Sequence, residues 1–256
     1  MNSLKLKLNL KKKKKLKTLI SKFNIIDETS IKYKGSMNDN LTIIIKKSIE
    51  DALALKSSLP KWILKLEGLS GIKYRHFVNS LARRMINPAY LEIGSWLGST
   101  ACSVMYKNTM KVTCVDNWSQ VFNDNNKPMI TFKNNIKKCL DKNISFQIFN
   151  NNFRKVQSLI PFNEFNIYFY DGPHHYKDHY DGIHLLQKNL ANKYILIVDD
   201  WNWLQVRKGT KDAIKDCNLK TISLTEIRTT QDSSKPIFQG EFSEWHNGYG
   251  IFVIQK

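Results

Sequence analysis

Acidic residues and glycines recur in this chain at the ends of short apolar runs, where an open parallel sheet presents side chains to a ligand. The first such place is Leu91-Glu92-Ile93-Gly94-Ser95-Trp96-Leu97-Gly98-Ser99-Thr100. Gly94 and Gly98 permit a tight turn, Ser99 or Thr100 can cap the helix that follows, and the first amides of that helix face an anion. Trp96 occupies the position where a dinucleotide fingerprint needs another glycine, which disfavours a pyrophosphate. Glu-x-Gly-x-x-x-Gly suits a nucleoside that carries a carboxylate and an ammonium group. The second place is Val115-Asp116-Asn117-Trp118. Asp116 follows Gly94 by twenty-two residues, the distance at which an acidic strand end accepts hydrogen bonds from both ribose hydroxyls.

Seven apolar runs must position these residues. They are Ala89–Ile93, Lys111–Asp116, Ile144–Phe149, Phe165–Asp171, Tyr194–Asp199, Thr221–Arg228 and Gly248–Ile254. Helical patterns separate them, such as Met129, Phe132, Ile136 and Leu140, then Tyr176, Tyr180, Ile183 and Leu190. This alternation predicts an α/β fold, a Rossmann-like seven-stranded and mostly parallel sheet with helices on both faces. Ahead of it, Leu41, Ile44, Ile45, Ile49 and Leu53, then Trp62 through Met85, recur at helical spacing. The expected organisation is a basic flexible tail over 1–30, a helical extension over 31–88 and one catalytic-type domain over 89–256.

With the glycine loop and Asp116 in place, the chain resembles class I S-adenosylmethionine-dependent methyltransferases. Downstream, Tyr168-Phe169-Tyr170-Asp171-Gly172-Pro173-His174-His175-Tyr176 resembles the Asp-Gly-x-His-x-Tyr segment of one branch, which includes small-molecule and sugar O-methyltransferases. Ile197-Val198-Asp199-Asp200-Trp201-Asn202-Trp203 resembles the paired acids that close its fifth strand, and Trp245-His246-Asn247-Gly248-Tyr249-Gly250 fits its last. The resemblance covers residues 89 to 256. It implies S-adenosylmethionine as cofactor, held by Glu92, Gly94, Ser95, Gly98, Ser99, Asp116, Asn117, Trp118 and Asp171. Many relatives place an acid after the third strand to meet adenine. Here Phe149-Asn150-Asn151-Asn152-Phe153 offers amides instead, with Asn151 and Asn152 as candidates.

Transfer to a hydroxyl requires the acceptor proton to be removed or the oxygen polarised. His174 and His175, with Asp171, are the candidate catalytic residues; imidazole titrates near neutrality. Asp171, Asp199 and Asp200 are hard oxygen ligands on neighbouring strand ends, suited to a magnesium ion. Zinc is disfavoured although His174, His175, His179 and His184 fall close together, since no cysteine is near in sequence. Surface or capping positions suit His179 and His184. Trp201 and Trp203 suit either a packed lid or a stacking surface for the acceptor.

Composition sets the outer limits. Hydrophobic residues at 42% and charged residues at 24% exclude wholesale disorder. No apolar run approaches the roughly 18 residues of a membrane helix. The four cysteines are scattered, as in reduced core thiols, and the first residues lack the apolar segment of a signal peptide. The expectation is a soluble cytoplasmic protein. Its net charge is +18, and nine lysines within residues 1–23 supply half of that excess. The tail is either a solvated extension or an arm for polyanions. The leading expectation is O-methylation of a sugar or other small hydroxylated acceptor. RNA ribose methylation using the lysine tail and a non-catalytic interaction protein on this fold are the rivals.

Overall fold

The computed structural model of the protein describes residues 29–120 and 127–256. The expected lysine tail, as far as residue 28, and the tip of the 117–127 loop lie outside the described residues. Eight strands form one sheet: β1 (Ser30–Gly35), β2 (Ala89–Ile93), β3 (Met110–Asp116), β4 (Ile144–Asn150), β5 (Phe165–Tyr170), β6 (Leu190–Val198), β7 (Lys220–Arg228) and β8 (Tyr249–Gln255). Their order across the sheet is β1-β7-β8-β6-β5-β2-β3-β4. The strands β4, β3, β2, β5 and β6 run parallel, while β8, β7 and β1 add antiparallel pairings. Chain order reverses between β2 and β5, which opens a crevice beyond their carboxyl ends.

Period-two alternation sends successive strand residues into two separate cores. Tyr90, Val112, Cys114, Ile167, Phe169, Ile195 and Ile197 face one; Leu91, Ile93, Val115, Tyr168, Tyr170, Leu196 and Val198 face the other. The first core is covered by α1 (Asn40–Leu53), α3 (Ile72–Arg84), α4 (Ser99–Met105) and α5 (Pro128–Lys137), and the short α2 (Lys61–Leu64) contributes Ile63. The second is covered by α6 (Tyr176–Leu186) and α7 (Leu204–Asp216).

The N-terminal segment therefore does more than extend the domain. Its helices supply Ile45, Ile49, Tyr74 and Phe77 to the first core, and it opens with an edge strand where only helix was expected. β1 escapes the alternation test because Lys32, Tyr33, Lys34 and Gly35 are exposed; it is held by backbone pairing to β7. Arg75 on α3 is buried and organises the loop behind it. Its guanidinium donates to the carbonyl oxygens of Ile63, Leu64, Leu66 and Ser70 at 2.9–3.2 Å and to Ser70 Oγ at 3.1 Å. Burial pulls its pKa down to about 10, which leaves it cationic at neutral pH. That loop carries Leu69 and Ser70 to the crevice.

Candidate active site

A cavity of about 440 Å³ opens at the carboxyl ends of β2, β3, β5 and β6. The turn after β2 forms its floor. Gly94 and Gly98 have φ of +87° and +82°, in the left-handed region where glycine alone is unstrained. A Cβ on Gly94 would lie 1.8 Å from the Asp171 carbonyl oxygen, so a side chain there would push β2 and β5 apart. Gly98 is itself the N-cap of α4, and no side chain caps that helix. Ser99 and Thr100, expected as caps, are its first two residues and line the cavity.

Asp116 ends β3 with both carboxylate oxygens engaged. Oδ2 accepts from the Trp96 amide at 2.7 Å and Oδ1 from the Trp118 amide at 2.6 Å. The Trp118 indole donates to the Trp96 carbonyl at 2.8 Å. Two loops from adjacent strands are thereby clamped around one carboxylate, with Trp96 and Trp118 both at positive φ. Gly94, Ser95, Ser99, Asp116, Asn117, Trp118, Asn151, Asn152 and Asp171 all reach the cavity.

Other expected residues are placed differently. Glu92 is fully buried and outside the cavity wall, where its Oε2 accepts from the Tyr90 hydroxyl at 2.6 Å. Burial, with the Asp116 charge adding to it, pushes this carboxyl up to about 7 against the opposing hydrogen bonds of Tyr90 and Ser95. Gly98 packs against Phe132, also away from the cavity. His175 is exposed and serves as N-cap of α6, in a reciprocal capping box with Asp178. It is absent from the cavity wall, so the adjacent pair of histidines contributes only His174 there.

At the β5 and β6 ends the acids divide into two sets. Asp171 and Asp199 follow the adjacent strands β5 and β6, with the Asp199 amide donating to the Tyr170 carbonyl at 3.1 Å. Burial and the neighbouring carboxylates push both well above the usual range. Asp200, at φ +56°, turns away to His174, whose Nδ1 lies 2.9 Å from Asp200 Oδ2. Burial would raise the Asp200 pKa, but His174 and the Asn247 amide outweigh it and hold it low. Burial likewise works to lower His174, yet contact with Asp200 raises it overall. The expected convergence of Asp171, Asp199 and Asp200 on one cation is not the arrangement seen. Among the described residues, the three groups whose ligand atoms lie within 4.8 Å of one another are Asp171, His174 and Asp200.

Four further residues were given no role from the sequence. Arg154 lines the cavity while its guanidinium pairs with Asp178 at 2.7 Å and Asp181 at 2.8 Å. Lys235, Gln239 and His246 come from the 229–247 loop, which packs on the N-terminal segment through Ile72 N–H to Ser243 O at 2.9 Å. The two tryptophans separate. Trp203 lines the cavity, edge-on to His174 at 5.3 Å, whereas Trp201 is wholly buried on Phe252 and is neither lid nor stacking surface. His179 is buried beneath Tyr170 instead of lying at the surface, and exposed His184 stacks on Tyr180, its Nδ1 3.4 Å from Cys217 Sγ.

The strand order and crevice define a Rossmann-like α/β fold, in which the strand-end loops surround the cavity. Residues 91–201, the segment carrying most of that cavity, match the family model of a methyltransferase domain. No curated protein matches the chain. Among solved structures, the adenosylhomocysteine-bound methyltransferase PaMTH1 of Podospora anserina superposes with a TM-score of 0.50 at 11% identity, over 87% of this chain and 90% of that one. TrmN of Thermus thermophilus gives 0.46 at 14% identity, over 81% of this chain but only 52% of that one, so the chain spans about half the length of TrmN. Precorrin 8W decarboxylase of Methanobacterium thermoautotrophicum gives 0.48 at 13% identity, over 75% and 93%. At 11% identity the likeness to PaMTH1 is one of fold. Among the described residues, no helix is long and apolar enough to cross a membrane.

Proposed function

We propose that the protein is an S-adenosylmethionine-dependent O-methyltransferase acting on a small hydroxylated acceptor, such as a sugar. The observation that carries this reading is the meeting, in one cavity, of the clamped Asp116 loops and the His174–Asp200 pair. The residues present suit the cofactor. About 440 Å³ is within the range of small-molecule sites, Asp116 faces it as a ribose acceptor, and Asn151 and Asn152 offer amides for adenine. When bound, S-adenosylmethionine supplies an activated methyl group on a sulfonium leaving group.

The remaining work belongs to the chain. The Asp116 clamp fixes the loops that line the donor side, so that much of the rate comes from positioning. With His174 Nδ1 turned to Asp200, Nε2 is the ring nitrogen left to accept the hydroxyl proton. Asp200 then stabilises the imidazolium. A second reading has a magnesium ion on Asp171, His174 and Asp200, favoured by the proximity of their ligand atoms. Assays of labelled-methyl transfer to a panel of sugars and phenols separate the two. The base mechanism predicts turnover insensitive to EDTA and abolished by His174→Ala; the metal mechanism predicts arrest by EDTA and recovery with magnesium. Ribose methylation of RNA through the lysine tail predicts transfer to RNA that is lost on raising salt or deleting residues 1–23. A non-catalytic role predicts cofactor-independent partner binding and no transfer. A cytoplasmic location suits all of these readings.

A further inference from the structure

His246 sits in the cavity wall on the 229–247 loop, nearly buried and at φ +45°. Its main chain is fastened on both sides: the amide donates to Ser243 Oγ at 3.0 Å, and its carbonyl accepts from Thr229 Oγ1 at 2.8 Å. The ring is fastened as well. The Gly240 amide donates into His246 Nδ1 at 3.0 Å. A nitrogen that accepts a hydrogen bond carries no proton, so the imidazole is neutral and its proton is on Nε2. Burial, which pulls the His246 pKa down to about 4, acts in the same direction.

That Nε2–H has no acceptor within the protein among the described contacts. Its polar neighbour is Asn247 Nδ2 at 3.4 Å, which is itself a donor and is committed to the Asp200 carboxylate. Two donors cannot satisfy one another, and a buried donor without a partner is costly. The partner must come from the cavity. The same carboxylate holds His174 through its other oxygen. The two rings therefore flank Asp200 with opposite equipment, a proton acceptor on His174 and a fixed proton donor on His246.

We infer that His246 is an acceptor-specificity residue whose Nε2–H donates to a second oxygen of the substrate, neighbouring the hydroxyl that yields its proton to His174. The acceptor class is then a compound with two adjacent oxygens, and a lone hydroxyl is the poorer ligand. This rests on the methyltransferase reading above.

The test uses the full chain loaded with adenosylhomocysteine, with catechol and phenol as two-oxygen and one-oxygen probes. Failure of adenosylhomocysteine to bind would strike the methyltransferase reading itself and is seen before either probe is added. Long-range proton–nitrogen spectra of the loaded protein should show His246 as the Nε2–H tautomer at pH 7. Catechol should bind about tenfold tighter than phenol, the scale of one hydrogen bond. His246→Asn keeps an acceptor for the Gly240 amide but removes the distal donor. It should keep its melting temperature and lose the preference for catechol. His246→Gln, with an amide donor at the Nε2 position, should recover part of it. An Nδ1–H tautomer, equal affinity for the two probes, or an undiminished preference in His246→Asn each overturns the inference.

Discussion

Glu92→Gln tests how the core beneath the cavity responds to pH. Glu92 is fully buried, and its carboxylate accepts from the Tyr90 hydroxyl at 2.6 Å. Its carboxyl moves from 4.5 when exposed to about 7 when folded. Between those limits the folded chain holds a proton that the unfolded chain has released. The associated stability is therefore complete below pH 4.5, declines as pH rises to about 7 and stays lost above it. The span corresponds to about 3 kcal/mol. Glutamine fits the same space, can accept from Tyr90 and cannot ionise. The variant should match the wild type near pH 4.5 and exceed it at pH 8 by as much as about 3 kcal/mol, or about 6–12 °C in melting temperature for a chain of this size. Urea unfolding of the cofactor-free proteins at pH 4.5, 6 and 8 measures this. Parallel stability profiles, or a variant less stable at pH 8, would show that Glu92 is not held neutral by burial.

Arg75→Met removes the donor to the Ile63, Leu64, Leu66 and Ser70 carbonyls and should cost about 3 kcal/mol or more, read as a fall in melting temperature. Because the same loop carries Leu69 and Ser70 to the cavity, acceptor affinity should fall with it. Asp200→Asn takes away the charge that raises His174. Since His174 must be neutral to accept a proton, the acidic limb of the pH–rate profile should lie above pH 6.5 in the wild type and shift downward in the variant, with a lower plateau. A limb at the same pH in both would separate the profile from His174. Deletion of residues 1–23 should leave melting temperature and cofactor affinity unchanged, because a lysine-rich segment has little apolar surface to offset its ordering entropy. A loss of several degrees would show that the segment is packed.

The strands β2 to β8 were legible because each is an apolar run bounded by turn residues, and all but the edge strand β4 carry buried residues on both faces. β1 was not legible, since an edge strand held by its backbone needs no apolar pattern. At the site, Gly94, Asp116, Asp171, His174 and Asp200 could be found because they fall at strand ends, where chain order alone determines the neighbourhood. Trp201 and Trp203 show the limit of that logic. Two residues apart after the same strand, one enters the core and the other the cavity, and the turn that the Trp203 amide closes on the Asp200 carbonyl leaves no mark in composition. His174 was preferred over His175 only through the resemblance; helix α6, beginning at Tyr176, claims His175 as its cap. His246 depends on a backbone amide six residues earlier in a loop without periodicity, so its tautomer is a tertiary property.

The proposed function requires the crevice beside Asp116 to bind the cofactor. Calorimetric titration of adenosylhomocysteine into the full chain tests it most directly, alongside Asp116→Ala and the more conservative Asp116→Asn. One site per chain is expected, weakened by about 1–3 kcal/mol in Asp116→Ala and by less in Asp116→Asn, which retains one acceptor for the Trp96 or Trp118 amide. No heat of binding in the wild type, or the same affinity in all three proteins, would contradict the account.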